Sequence, residues 1–249
     1  SLDQVRQAIH DLGEKPELTV AELAEEVVEG PGLIRGCTVA ASVSGDSNTG
    51  GIVGTVGLEL GGDPEETSTL EDMELLTDVT ATLRSVIRDC RFDGAITARN
   101  DCAGGIAGRC ETGAILDCIA RGTVETGTDY AGGIAGRTQG VVTRCAALVD
   151  LTGESWLGGI TGLGGDLTDC RAMVRCDSDG EALGAITGES DGDLAGNRYL
   201  LEDLPGLDGV DVAGAAQGLD FDAFAQLSGV PADFLTFSYT FVVDGRTVA

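Results

Sequence analysis

Apolar and polar residues alternate with a period of two around five cysteines of this chain. Small or apolar residues stand two, four and six positions after each cysteine, with Arg, Asp, Thr and Ser among the residues between them. Alternate residues of a strand share a face, so the pattern predicts short β-strands whose cysteine side points inward. The series comprises Cys37, Cys90, Cys118, Cys145 and Cys170, and Asn197 stands where a sixth member would fall.

A tail of the form Gly-Gly-Ile-x-Gly follows each cysteine, and its second residue lies 14 or 15 positions downstream. Successive tails are 54, 28, 26 and 26 residues apart, so the first interval is close to two repeats. The tails occupy residues 50–54, 104–108, 132–136, 158–162 and 184–188, and only the last has Ala in place of its second Gly.

A repeat of 26–28 residues with short strands and glycine turns has the length of one solenoid coil. Such a coil buries its inner face only by stacking on its neighbours. The chain lacks both the leucine-rich signature and a helical period of 3.6. We therefore predict an all-β fold, a right-handed parallel β-helix (β-solenoid) of about five to six coils over residues 33–200. Its inward line should consist of Ile52, Ile106, Ile134, Ile160 and Ile186.

The sequence AILDC at 114–118, followed by GGIAG at 132–136, resembles the GLUG-motif repeats of bacterial cell-surface proteins. Those repeats pair an Asn-Cys rung with a Gly-Gly-aliphatic-x-Gly tail. The resemblance covers about residues 33–200, although the residue before the cysteine here is Asp, Gly or Arg instead of Asn. It implies a bacterial cell-surface location and an adhesin-like role, and it supplies no catalytic residues.

Residues 1–32 have the pattern of a helical N-terminal cap. A first helix would end at Gly13, and Thr19 with Glu22 forms a capping box for a second helix. Such a cap would cover the unpaired strand edges of the first coil. The apolar face of the first helix would consist of Leu2, Val5, Ile9 and Leu12.

The long first interval contains 36 residues from Gly54 to Cys90, against 8 to 10 in the later repeats. An additional coil in register would place Pro64 in the cysteine column and Asp78 in the glycine tail, and neither residue suits its column. Residues 59–78 hold eight acidic residues and no basic one. We predict an acidic excursion at about 56–84 that leaves the solenoid.

Residues 201–249 predict a C-terminal cap, a small α+β extension and the start of a further β-module. A short helix is expected near 220–227 and a strand near 236–243. Asp244-Gly245 is a hairpin signal.

The net charge of −27 argues against nucleic acid and anionic membranes as partners, because both require Lys and Arg. No apolar run approaches the ~20 residues of a membrane span. The chain starts at Ser1, without Met or a signal peptide. We therefore predict a monomeric fragment of a secreted or wall-anchored protein whose anchor lies elsewhere.

The eight cysteines lack zinc-ligand spacing, and His10 is the single histidine, so no metal site is predicted. Neighbouring coils about 4.8 Å apart would allow disulfides. Parallel in-register neighbours are nevertheless poorly aimed at one another, and five members leave one without a partner. We predict a column of buried thiols. Whether Cys102 and Cys110 pair stays open.

Tyr130 and Trp156 occupy the same repeat position on successive coils. They could form a carbohydrate platform, but packing against the coil corner is favoured. Two acidic stretches, 177–181 and 189–193, suggest calcium-binding sites. They lack the EF-hand pattern, however, and their Asp and Gly residues are typical of ordinary turns. Most arginines of the solenoid are expected on solvated faces, namely Arg91, Arg99, Arg109, Arg121 and Arg137.

No catalytic or cofactor motif is visible: a Ser/His/Asp set, HExxH, a P-loop and a Rossmann fingerprint are all missing. We predict a non-catalytic extracellular module for adhesion, ligand binding or structural spacing. Its partner would be a host or cell-wall component, either glycan or protein. The rival hypothesis is a carbohydrate-active β-helix enzyme, a polysaccharide lyase or hydrolase, because the fold alone does not decide activity.

Overall fold

The computed structural model describes residues 32–57, 85–202, 204–207 and 214–236, and the backbone of two further short strands. In these ranges the chain is a parallel β-solenoid with almost no helix, as the repeat predicts. The predicted N-terminal helices and most of the predicted acidic excursion lie outside the described residues.

Each repeat folds into four short strands separated by tight corners. The first unit contains β1 (Leu33–Arg35), β2 (Thr38–Gly45), β3 (Thr49–Gly50) and β4 (Val53–Val56). The next two contain β5 (Val86–Arg88), β6 (Arg91–Ala98), β7 (Ala103–Gly104), β8 (Ala107–Cys110), β9 (Ala114–Leu116), β10 (Ile119–Thr126), β11 (Ala131–Gly132) and β12 (Ala135–Thr138). Two more contain β13 (Val141–Thr143), β14 (Ala146–Thr152), β15 (Leu157–Gly158), β16 (Thr161–Gly164), β17 (Asp166–Thr168), β18 (Arg171–Asp177), β19 (Leu183–Gly184) and β20 (Thr187–Ser190). The stack ends with β21 (Leu194–Ala195), β22 (Asn197–Leu200) and β23 (Ala216–Leu219).

Equivalent strands of successive units form four parallel sheets. Sheet A runs β1-β5-β9-β13-β17-β21, and sheet B runs β2-β6-β10-β14-β18-β22-β23. Sheets C and D each hold five strands, from β3 to β19 and from β4 to β20. Each strand of the first unit pairs directly with its counterpart in the second, although residues 58–84 separate the two units in the chain. This pairing leaves no room for a further coil between them.

The predicted inward line of isoleucines is confirmed. The amides of Ile52 to Ile160 in this line each donate to the carbonyl of the next isoleucine, for example Ile106 to Ile134 at 2.9 Å and Ile134 to Ile160 at 2.8 Å. The members from Ile106 to Ile186 are fully buried, and Ile52 at the first unit is partly buried. The line is therefore the hydrophobic axis of the solenoid.

The cysteine column is also confirmed: all eight cysteines are free, and Cys90, Cys118, Cys145 and Cys170 are buried. Each of these four thiols contacts a carbonyl oxygen of the preceding coil, as Cys118 Sγ contacts Ile87 O at 3.7 Å, and also one of its own coil, as Cys118 Sγ contacts Leu116 O at 3.2 Å. Asn197 is fully buried and continues this pattern, because its Nδ2 donates to Leu167 O at 2.8 Å. The column thus selects compact donors for a carbonyl of the neighbouring coil.

Burial also raises the pKa of three cysteines. It raises the pKa of Cys90 and of Cys110 to about 11, although hydrogen bonds lower the value in part. Burial likewise raises the pKa of Cys102 to about 11. These side chains are therefore neutral and poorly nucleophilic near pH 7.

Two corners of the coil require a left-handed backbone conformation. Non-glycine residues with positive φ directly before the cysteine column are Asp89, Asp117, Arg144 and Asp169. Those at the second corner, directly before the strands of sheet C, are Asn48, Cys102, Tyr130, Trp156 and Ala182. Asp and Asn tolerate this conformation best after Gly, which explains the first corner.

A C-terminal strap, residues 220–236, packs on the outward face of sheet B. It begins with α1 (Phe221–Phe224), which Asp220 caps by accepting from the Ala223 amide at 2.8 Å, and it ends with a 3-10 turn (Ala232–Leu235). Its anchors Phe224 and Phe234 are buried. They lie in one apolar cluster with Ala146, Met173, Ile119, Leu148, Leu200, Leu219, Leu227 and Val230.

The helix predicted near 220–227 is present in shorter form as α1. Farther along, β24 (Phe241–Val243) and β25 (Arg246–Val248) pair antiparallel on either side of the predicted hairpin turn. The cap predicted from 201 onward therefore includes an element that covers a sheet face.

Candidate functional site

The two aromatic residues of the second corner stack on one another. The ring centroids of Tyr130 and Trp156 are 5.3 Å apart, with 28° between the ring planes, and both side chains are partly exposed. Tyr130 directly precedes β11 and Trp156 directly precedes β15, so the pairing of these strands places one ring against the other. The two rings therefore cover part of each other's faces, and both side chains remain partly exposed at the corner.

Backbone conformation makes these two residues unexpected at this corner. Tyr130 has φ of 66° and Trp156 has φ of 55°, a region that bulky residues rarely adopt. Each such residue costs on the order of 1–3 kcal/mol and persists only where the surroundings impose it, most often at functional sites. Asn48 shows that a residue suited to the conformation can hold the same corner. Cys102 and Ala182 hold the same corner in other coils, so the conformation belongs to the repeat, and the aromatic side chains are the feature that distinguishes these two coils.

A line of outward side chains on sheet D runs beside the aromatic pair. The strand register aligns Arg109 with Arg137, Arg137 with Leu163, and Leu163 with Glu189. Glycine brings this line close to the corner: a Cβ on Gly136 would lie 2.6 Å from the Tyr130 carbonyl oxygen. We call the whole surface the aromatic ridge; it consists of Tyr130, Trp156, Arg109, Arg137, Leu163 and Glu189.

Charges on the aromatic ridge are held next to the rings. The guanidinium carbon of Arg137 lies 5.6 Å from the centroid of Tyr130, a cation–π contact. Trp156 Nε1 donates to Glu189 Oε2 at 2.6 Å. Arg109 pairs with Glu111 at 2.5 Å, and its Nε is buried without an acceptor. Positive charge therefore lies towards one end of the ridge and negative charge towards the other.

This arrangement suits the binding of an elongated polar ligand with flat apolar faces. The stacked rings provide the apolar surface, and the flanking Arg and Glu side chains provide donors and acceptors at its rim. Neighbouring coils are about 4.8 Å apart, close to the length of one pyranose unit. A sugar chain along the solenoid axis would then meet one coil per residue.

The other sequence candidates are engaged within the fold. In the stretch 177–181, Ser178 Oγ donates to the Glu154 carbonyl at 2.7 Å. In the stretch 189–193, the Asp193 amide donates to Asp166 Oδ1 at 2.8 Å. Both stretches tie a turn to the preceding coil. Across the ranges that the structure describes, no group of three or more His, Cys, Asp or Glu side chains could hold a metal ion.

Three of the five arginines named from the sequence bind acidic residues away from the ridge. Arg99 pairs with Asp46 at 2.8 Å on an exposed surface. Arg91 pairs with Asp233 of the strap at 2.5 Å, and Arg121 lies 3.6 Å from the same carboxylate. Arg91 and Arg121 stay partly exposed beside the strap, with Asp233 as their acidic neighbour. Cys102 and Cys110 are both free and buried, so they do not pair.

Sequence reasoning noted Tyr130 and Trp156 as one column but did not connect them with the line on sheet D. The signal was available: Arg137 stands seven residues after Tyr130, and Arg109 stands seven after Cys102. The corner at Tyr130 and Trp156 brings the two columns together. The residue types Tyr and Trp give no sign of the left-handed conformation that this corner requires.

Among the described residues, no helix is long and apolar enough to cross a membrane. Comparison with known proteins adds no assignment: no family model, curated protein or solved structure matches the chain.

Proposed function

We propose that the chain is a non-catalytic extracellular module that binds a glycan on the aromatic ridge. The observation that carries this proposal is the stacked, partly exposed pair of Tyr130 and Trp156 on two strained corners. Aromatic faces pack well against the apolar faces of sugar rings, and the hydroxyl groups at the edge of a sugar require donors and acceptors nearby. Arg137 and Glu189 supply both.

The architecture accompanying this proposal is a right-handed solenoid of five to six coils with a helical N-terminal cap. Right-handed crossovers are the rule for parallel strands. In the GLUG-like interpretation the module is monomeric and lies on a bacterial cell surface, where it presents the ridge to a host or cell-wall glycan. The high negative charge favours solubility there.

The proposal is tested by glycan binding of the purified chain, measured on immobilised neutral and acidic polysaccharides. Trp156→Ala and Tyr130→Ala should each weaken binding at least tenfold, because each removes half of the stacking surface. Phe221→Ala is the matched control, since Phe221 is a surface aromatic of the strap with 36% exposure. This variant should bind like the original chain.

Two results would overturn the proposal. One is the failure of the chain to bind any polysaccharide, and the other is equal binding by the original chain and the Trp156 variant. The same samples are assayed for new reducing or unsaturated chain ends. Their accumulation with time would show turnover and favour the enzyme hypothesis.

A further inference from the structure

We infer that the glycan is an acidic polysaccharide, with a uronate carboxylate held by Arg137 beside the stacked rings. This inference rests on the proposed glycan-binding function and specifies its ligand class. The net charge of −27 opposes binding of a polyanion by the chain as a whole, so the inference is carried by the local positive end of the ridge: by the partners of the arginines, by the register of sheet D and by the distribution of charge along the ridge.

Arg137 differs from the other arginines in the described part of the chain. Each of those binds a carboxylate or a backbone carbonyl oxygen; Arg144, for example, makes two hydrogen bonds to Asp117. Arg137 instead contacts the Tyr130 ring. The chain has 42 acidic residues and 15 basic ones, so a guanidinium with neither a carboxylate nor a carbonyl partner is unexpected. Its hydrogen-bond donors are free to take an anion from outside.

A second guanidinium reinforces this site. Arg109 and Arg137 are direct register partners on β8 and β12, so two positive side chains stand on neighbouring strands. Like charges directly opposite one another destabilise a sheet unless an anion lies between them. Glu111 compensates Arg109 in part, and because Arg109 Nε is buried, an outside anion would reach only the exposed end of this group. A ligand carboxylate would compensate the pair further.

The geometry of guanidinium favours a carboxylate. Its planar fork matches two carboxylate oxygens, and charge-assisted bonds of this kind are about twice as strong as neutral ones. The Arg137 group lies over the Tyr130 ring, with its guanidinium carbon 5.6 Å from the ring centroid. At the opposite end, Glu189 would repel an anion and accept from sugar hydroxyls. The ligand would thus lie along the axis with a carboxylate near Arg137.

The test compares polygalacturonate and hyaluronate with their carboxyl-reduced, neutral forms. Each pair shares its backbone linkages and differs in charge. The intact chain should bind the acidic forms at least tenfold more tightly. Arg137→Ala should remove most of this preference while weaker binding to the neutral forms persists. Arg137→Lys should restore it only in part, because an ammonium keeps the charge and loses the planar fork.

Arg175→Ala is the matched control for net charge. Arg175 is 78% exposed, lies 3.8 Å from Asp150 and stands on sheet B, whereas Arg137 stands on sheet D. Equal binding of the acidic and neutral forms would overturn this inference and leave the proposed function standing. A similar loss for Arg175→Ala and Arg137→Ala would also overturn it, because the preference would then reflect overall charge. Absence of binding to all four polymers would overturn the proposed function itself.

Discussion

The outward face of sheet B is covered by the strap, whereas no described segment covers the outward face of sheet D at the ridge. On sheet B, the strap buries apolar side chains such as Met173 under Phe224 and Phe234, and Asp233 neutralises Arg91. On sheet D, Arg137 and the neighbouring aromatic rings stay partly exposed, and no described segment covers them.

The difference separates groups that complete the fold from groups left for another molecule. Where the strap covers sheet B, the apolar and charged side chains of that sheet find partners within the chain, as in an ordinary core. Where no described segment covers sheet D, strained corners and an arginine without a carboxylate remain at the surface. Folding stability should therefore depend on the first region, and ligand binding on the second.

The largest expected effect lies in the inward line that supports both faces. Ile134→Ala should lower the free energy of unfolding by about 2–5 kcal/mol, because it opens a cavity in the buried isoleucine ladder. Chemical denaturation measures the change. Leu163→Ala removes a similar side chain from the partly exposed ridge and should cost less than about 1 kcal/mol. Equal losses would contradict the assignment of inward and outward columns.

Detaching the strap should have the next largest effect. Phe234→Ala should cost about 2 kcal/mol, less than a core cavity, because the strap can open locally while the solenoid stays folded. Limited proteolysis should then cleave within residues 220–236 before the rest of the chain. Phe221→Ala, at an exposed position of the same segment, should leave the cleavage rate unchanged. Glycan binding by the Phe234 variant should be retained, since the ridge lies on another sheet.

Relief of backbone strain at the ridge corner should stabilise the fold. Ala182 shares the corner with Trp156 and has φ of 54°. Ala182→Gly should therefore raise stability by about 1 kcal/mol. By the same reasoning, Trp156→Gly should be more stable than Trp156→Ala by a similar amount, while both variants lose binding. If Gly were the less stable of the two, the corner would not be strained.

The smallest effect concerns Asp233 under the strap. Burial alone would raise the pKa of this carboxyl, but the hydrogen bond and charge of Arg91, with Arg121, lower it on balance. Its contribution is present above the ordinary aspartate pKa of about 3.9 and is lost as the pH falls through the lower folded value. Asp233→Asn should therefore cost about 0.5 kcal/mol near pH 7 and almost nothing at pH 2.

Asp150→Asn is the control for Asp233, because Asp150 is exposed and only 3.8 Å from Arg175. It should change stability little at either pH. A loss for Asp233→Asn that is the same at pH 7 and pH 2 would show that its carboxylate charge does not hold the strap.

Strand register could be predicted from the sequence because every coil repeats the same inward columns. Cysteine and isoleucine positions alone align the pairing of sheets B and C, since a slip of one residue would expose every inward side chain. The role of the thiols was only partly evident. Their function as donors to a carbonyl of the preceding coil is signalled by Asn197, which shares a donor with Cys but not its apolar character.

The helix of the strap was predicted from the sequence, but the sheet face on which the strap packs was not, for a different reason. The strap has no period, and its contacts join residues far apart in the chain, such as Arg91 and Asp233. One local signal does exist: Ile119, Leu148 and Met173 are apolar at outward positions of sheet B, where a solvated face would be polar. Apolar residues on both faces of a strand indicate that something covers the second face.

The cysteine column, which Asn197 continues, allows the number of coils to change. The four thiols from Cys90 to Cys170, and finally Asn197, each contact a carbonyl group of the coil before them, as Cys145 contacts Ile115 O and Asn197 donates to Leu167 O. Each of these coils therefore presents the same carbonyl group to the coil after it and the same kind of side chain to the coil before it. Duplication or deletion of a whole repeat preserves every such junction, so evolution can lengthen or shorten the stack without redesigning its interior.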